Sequence, residues 1–144
     1  MFVELAVLYE KTIGWNILSG DVVDLGAGYF TEVVKKNDRN LASVFYAFHD
    51  FLHDLGIDLL YVQRPHKIAP QDGISGILDF FNENDDDLLT ALSVKQILYL
   101  DLRKNIREET LDHRRLFYKT DHHWKAETGL WASRILMNHL NEPY

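Results

Sequence analysis

The sequence predicts an α/β domain built around a parallel sheet, and three observations carry that expectation. A stretch with helical periodicity is followed by a short apolar run, and then by a second helix and a second apolar run. That order is the one that places strands in parallel with helices crossing between them. The composition fits as well: 144 residues, 47% hydrophobic and 26% charged, suit one domain that can bury a core and argue against disorder. No internal repeat, low-complexity tract or Pro/Gly-rich linker divides the chain, so residues 1–144 are read as a single domain.

Leu41–Leu55 is the clearest helix. Leu41, Val44, Phe45, Phe48, Leu52 and Leu55 recur at the spacing of one helical face. Asn40 is a candidate N-cap and Gly56 a candidate C′ residue. Ile57–Val62 (IDLLYV) follows, short and nearly continuously apolar, as expected of a strand buried on both faces, and Pro65 ends it. The acidic run Asn82–Asp87 (NENDDD) reads as a solvated loop and helix N-terminus, where carboxylates suit the macrodipole. It lacks the glycine and glutamate positions of an EF-hand calcium loop. Asp85–Ser93 is expected to be a short helix and Ile97–Leu100 (ILYL) a second buried strand, closed by Asp101. Leu102–Glu109 reads as a helix or helical turn and Phe117–Thr120 as extended. Ala126–Leu140 reads as a final helix with Leu130, Trp131, Ile135 and Met137 as candidate core residues. Sites of open α/β sheets lie outside the C-terminal strand ends, which points to Arg64–Lys67 and Asp101.

Composition excludes several functions. Fifteen basic residues against 22 acidic ones leave a formal charge of −7, which disfavours non-specific nucleic-acid binding and attachment to anionic membrane. Without cysteine there is no disulfide, thiolate metal site or cysteine nucleophile. The apolar start, MFVELAVLYEKTIGW, has no basic n-region and is broken by Glu4. It is too short for a membrane span and unlike a signal peptide.

The segment Phe117–Gly129, FYKTDHHWKAETG, places one carboxylate and two imidazoles side by side just before a helix. Two chemistries suit that set. A carboxylate can hold a histidine in the tautomer needed for general-base work on a hydroxyl nucleophile, or Asp and His together can ligate a metal. A third reading is structural, since histidines in a loop often serve as polar surface. His49 and His53 share the i, i+4 spacing of a zinc-binding helix, but they flank the apolar stripe on its expected solvent side, where a decorated helix surface explains them.

The string Tyr118-Lys-Thr-Asp-His-His-Trp124 resembles the Thr-Asp-x-His-Trp signature of SGNH-hydrolase-like O-acetyltransferase domains. That group includes the alginate O-acetylation proteins and their DHHW relatives. Upstream, Gly56–Lys67 is similar to the family's strand followed by Pro-x-Lys, and Tyr99–Arg103 to its strand ending in Asp-Leu. Downstream, Lys125–Leu130 is similar to the family's helix start, with Lys125 where Thr is usual. The resemblance implies a three-layer α/β/α fold and acyl-ester chemistry on polysaccharide hydroxyls, as acetyl transfer or deacetylation, outside the cytoplasm. It makes Asp121 the orienting carboxylate and His123 the general base. Tyr118, Thr120, Trp124 and Lys67 become supporting positions: Trp124 as packing for the loop, Lys67 as a cap for carbonyls or the partner of an acid. His122 falls at the variable position and is read as non-catalytic. No cofactor and no metal are implied. The implied partners are a carbohydrate substrate, an acyl donor and a membrane acyltransferase, with self-association through an open sheet edge as a further expectation.

The chain also departs from the pattern. None of its serines, Ser19, Ser43, Ser75, Ser93 and Ser133, sits in the context of the family's nucleophile, which the resemblance places well beyond the Asp-x-His element. The nucleophile is therefore unassigned. The chain is expected to be the N-terminal portion of a longer domain, incomplete at its C-terminus, in preference to a degenerate relative. Two rivals stand beside this reading. A metal-dependent DHH-type phosphoesterase would use Asp121, His122 and His123 with the Asp72–Ser75 loop, although no apolar strand immediately precedes Asp121. The other rival is a non-catalytic domain that binds carbohydrate or docks onto a partner.

Overall fold

The computed structural model describes residues 17–19, 22–37, 41–69 and 79–141. The candidate N-cap Asn40 and the loop Asp72–Ser75 lie outside the described residues. The architecture is mixed α/β. Three short strands, β1 (Ile17–Ser19), β2 (Val22–Asp24) and β3 (Phe30–Glu32), form an antiparallel sheet in that order. The sequence reading contained none of them, because three residues are too few to show a period of two. The β2–β3 hairpin is made by its turn. Gly26, Ala27 and Gly28 take φ values of +85°, +55° and +78°, a left-handed path that glycine adopts without penalty. Asp24 Oδ1 accepts from the Gly26 N–H at 2.8 Å, and the Leu25 N–H donates to the Tyr29 carbonyl at 2.8 Å.

The second sheet is the expected parallel one. Helix α1 (Leu41–Asp54) leads to β4 (Leu60–Gln63), and α2 (Phe81–Val94) leads to β5 (Leu98–Asp101). Leu60 pairs with Leu98 and Gln63 with Asp101, so the two strands end level. Leu89, Leu92 and Ile97 form the buried centre, with Phe45, Tyr46, Leu59, Tyr61, Leu88 and Tyr99 packed on it. Strand β4 starts at Leu60 and not at the expected Ile57, which is 50% exposed ahead of it, and Leu98 of β5 is 44% exposed, so the strands are less enclosed than their apolar sequences suggest. Their buried positions are the polar ends, Gln63 and Asp101. Helix α3 (Leu102–Glu108), a 3₁₀ turn (His113–Leu116) and α4 (Ala126–Asn141) complete the described chain.

Helix faces are where the pattern misleads. On α1, Leu41, Val44, Phe48 and Leu55 are exposed, while Phe45, Tyr46, His49 and Leu52 are half-buried. The Phe45 ring meets Tyr61 edge-on at 5.1 Å and the Tyr46 hydroxyl donates to the Ala91 carbonyl at 2.8 Å. These contacts choose the face, and they put His49 at its border rather than on the solvent side. On α4, Leu130 and Met137 are exposed; Thr128 and Ala132 are buried, with Trp131 and Ile135 half-buried. Helix α2 starts at Phe81, not Asp85, because its poor helix formers find partners. The Asn82 amide donates to the Ile68 carbonyl at 3.1 Å, and the Asn84 amide to Lys35 at 2.9 Å. The acidic run is thus not simply solvated. Asp85 is largely buried and within hydrogen-bond distance of Gln63 and His66, and Lys36 joins Asp87 at 2.7 Å.

Three helices end the same way. After α1, the Gly56 N–H donates to His53 O and the Ile57 N–H to Leu52 O. The pattern repeats at Gln96–Ile97 and at Thr110–Leu111. Each left-handed residue is followed by an apolar one, the Schellman closure. Gly56 (φ +71°) suits it; Thr110 (φ +52°) does not, since a left-handed L-residue costs about 1–2 kcal/mol. Thr110→Gly is therefore expected to raise stability by about 1 kcal/mol. Urea unfolding would show this as a higher midpoint with unchanged slope. A lower midpoint would mean that the threonine side chain supports the turn.

Candidate active site at the Asp121–His123 turn

The residues expected to carry chemistry lie on a turn closed at its base by backbone. Phe117 pairs antiparallel with Trp124. The Tyr118 N–H donates to His123 O at 3.1 Å and the Lys125 N–H to Leu116 O at 2.9 Å. Thr128, one turn into α4, also donates its hydroxyl to Leu116 O, at 2.7 Å. Phe117 is fully buried beneath this junction, while Tyr118 and Thr120 are exposed and Trp124 is half-buried. Only Phe117 behaves as the extended segment expected of Phe117–Thr120; beyond Tyr118 the chain bends so that its ends can pair.

The spacing of Asp121 and His123 allows one oxygen to do two things. Asp121 Oδ1 accepts the His123 N–H at 3.0 Å and meets His123 Nδ1 at 2.6 Å. An ionised carboxylate only accepts, so Nδ1 carries the proton and Nε2 is left as the basic nitrogen. The His123 backbone N–H, followed by its ring, holds the Asp121 carboxyl below the usual carboxylate value. Both side chains are at least half exposed. His122 lies alongside, its ring 4.2 Å from that of His123 and its Nδ1 3.6 Å from Asp121 Oδ1.

Asp121, His122 and His123 each offer a ligand atom within 4.8 Å of the others. The donor chemistry fits the hydrogen-bonded reading better. A protonated Nδ1 is no metal ligand, and the single Asp121 oxygen already serves two N–H groups. The pair His49 and His53 stacks ring on ring at 6.1 Å, with His49 Nδ1 3.1 Å from Asp50.

Lys67 connects the turn to the end of β4. Its ammonium lies within hydrogen-bond distance of the carbonyls of Phe30 (2.5 Å), Tyr118 (2.6 Å), Lys119 (2.7 Å) and Asp121 (2.9 Å). Burial pushes this lysine below its ordinary pKa, and the Asp121 charge pulls the other way. A cavity of about 130 Å³ opens beside the turn, lined by Thr31, Glu32, Arg64, His66, Lys67, Phe81 and His122.

Asp101 has a different fate. Its carboxylate caps α3 through the Arg103 N–H at 3.1 Å and takes the Arg103 guanidinium through two contacts, 2.9 and 3.1 Å. Arg103 reaches Asp86 as well, at 2.8 Å. Burial alone would lower the arginine, but Asp101 and Asp86 outweigh it and raise its pKa. Next to it, Asp85 accepts from Gln63 at 2.8 Å and meets His66 Nε2 at 2.7 Å. Sequence reasoning missed this network. Its only signal was polar residues at both strand ends, which named the region and not the partners.

Among serines with described side chains, Ser93 and Ser133 donate to carbonyls four residues back in their own helices, and Ser43 is exposed on α1. The side chains of Ser19 and Ser75 lie outside the described residues.

Residues 28–143 match the family model described as an SGNH hydrolase-like domain of the acetyltransferase AlgX. Among solved structures, the chain is similar to PatB1 of Bacillus cereus, described with a sulfonyl adduct. The TM-score is 0.71 at 15% identity, covering 88% of this chain and 45% of that one. At that identity the likeness shows the fold, and the chain spans less than half of that neighbour's length. No curated protein matches it.

Proposed function

The chain belongs to the SGNH hydrolase-like, AlgX-type acetyltransferase family, and from that membership we propose that it serves acyl-ester chemistry on polysaccharide hydroxyls. His123 is the general base and Asp121 its orienting carboxylate. The observation that carries the assignment is the double grip of Asp121 Oδ1 on His123, which leaves Nε2 exposed and basic. In the step that follows, a serine hydroxyl attacks the acyl carbonyl and its proton passes to Nε2. When the tetrahedral intermediate collapses, the leaving group takes that proton and an acyl-serine remains. A sugar hydroxyl or a water molecule, deprotonated in turn by Nε2, then attacks the acyl-serine; the acyl–serine bond breaks and the serine oxygen takes the proton back from Nε2. A sugar hydroxyl gives transfer, and water gives deacetylation.

We assign the serine to sequence outside these 144 residues, the acyl supply to a membrane acyltransferase partner, and the place of action to the cell envelope outside the cytoplasm. Among the described residues no helix is long and apolar enough to cross a membrane.

The test treats the protein encoded by the parent gene with phenylmethanesulfonyl fluoride, since PatB1 is described with a sulfonyl adduct, and follows p-nitrophenyl acetate hydrolysis in parallel. His123→Ala is expected to slow both by at least about 10³-fold, and peptide mapping is expected to place the adduct on one serine. Labelling that is indifferent to His123→Ala would sink the base assignment. An adduct on one of the five serines of this sequence would move the nucleophile into it.

A further inference from the structure

An ammonium group has three N–H donors, yet four carbonyl oxygens lie within 2.9 Å of Lys67 Nζ. Carbonyl oxygens carry partial negative charge and repel one another, so such convergence requires a cation at its centre. Lys67 is 3% exposed, which leaves water little access. Three of the four oxygens, those of Tyr118, Lys119 and Asp121, belong to the turn. The fourth, Phe30 O, comes from β3, whose Phe30 N–H donates back to Lys119 O at 2.7 Å. Asp121 is thus held at both ends: its backbone carbonyl by Lys67, while its carboxylate holds His123.

The lysine reaches from a firm base. His66 stacks on Phe81 at 3.6 Å between ring centroids, meets Asp85 through Nε2, and receives the His113 ring at its carbonyl. Ile68 O on the other side accepts from Asn82. Both neighbours of Lys67 are therefore tied to the first turns of α2.

We infer that Lys67 is the positioning residue of the Asp121–His123 pair: its ammonium gathers the carbonyls of the turn into the one path on which a single Asp121 oxygen meets both the N–H and the ring of His123. The inference rests on the reading of that pair as the acid–base element. It extends that reading to a residue that acts on the pair through backbone carbonyls of the turn.

The test reads the pair itself. In the chain labelled with ¹⁵N-histidine, at a pH where the imidazoles are neutral, the ring nitrogens of His123 are expected to report a proton on Nδ1. In Lys67→Met, which keeps the apolar stem and removes the donors, they should shift to the mixed tautomers of a free histidine. The methyl signals of Leu89, Leu92 and Ile97 should stay in place. Lys67→Arg should move His123 in the same direction, because a planar fork cannot converge on four oxygens. In the parent-gene protein, kcat for ester hydrolysis should fall about 100-fold with KM little changed, as expected of a misplaced base. Unchanged His123 nitrogens in either folded variant would overturn the inference. Loss of the core methyl signals in both variants would also overturn it, by placing the lysine in the general stability of the fold. His123 nitrogens that move while turnover does not would leave the positioning role intact and sink the catalytic reading.

Discussion

Asp121→Asn is expected to lower kcat for ester hydrolysis in the parent-gene protein by about 10⁴-fold, the scale found when a triad carboxylate becomes an amide. The amide has nearly the same shape, so the turn should persist. Its two faces differ, however. With the NH₂ group toward His123, Nδ1 must accept, and the proton moves to Nε2, where it blocks the base. With the amide oxygen toward His123, the tautomer is kept but the charge that stabilises the imidazolium is gone. Because Asp121 is exposed, its substitution should leave the unfolding midpoint close to that of the parent, within the range usual for surface sites. The pH dependence follows from the depressed Asp121 pKa. The carboxylate supports the turn above its unfolded value, and that support is lost as pH falls through the lower folded value. Activity within tenfold of the parent would show that something other than this carboxylate orients the base.

Arg103→Met is expected to destabilise the chain by about 3–5 kcal/mol, the range for breaking a buried ion pair from one side. Asp101 is 7% exposed and receives the guanidinium through two contacts. Without the arginine its charge is stranded, with the Arg103 backbone N–H as compensation. Asp86 is exposed, and its share is that of a surface pair, about 0–1 kcal/mol. Adding Asp101→Leu should recover much of the loss by removing the stranded charge. Urea unfolding of the single and double variants would measure both effects. A loss under about 1 kcal/mol for the single variant would mean that water reaches Asp101 when the guanidinium is gone.

The two predictions separate what this sequence declares from what it conceals. The Asp121–His123 spacing, though not the lysine that holds the turn in its path, was legible because both partners lie within three residues, close enough for one carboxylate oxygen to reach the histidine's N–H and ring. The order of helices and strands was legible for the same reason, as was the closing role of Gly56, which needs only its own left-handed φ. The strands β1–β3 escaped because each is shorter than the period that would reveal it. The inward faces of α1 and α4 were legible only in part, as Phe45, Leu52, Trp131 and Ile135 are half-buried but Leu41, Val44, Phe48, Leu130 and Met137 are exposed, because both helices carry more apolar residues than one face can bury. Contact with Tyr61 and the Ala91 carbonyl singled out Phe45 and Tyr46 on α1.

Local pattern by itself indicated the α/β order of elements and the Asp-x-His spacing, since backbone propensity and side chains two residues apart need only neighbours in sequence. Tertiary structure alone decided that Lys67 meets carbonyls 51 to 54 residues away, and that one member of the otherwise exposed acidic run, Asp85, turns inward to His66 and Gln63. A buried charge is satisfied by whichever dipoles and counter-charges the folded chain brings to it, and their distance along the sequence leaves no mark on residue order.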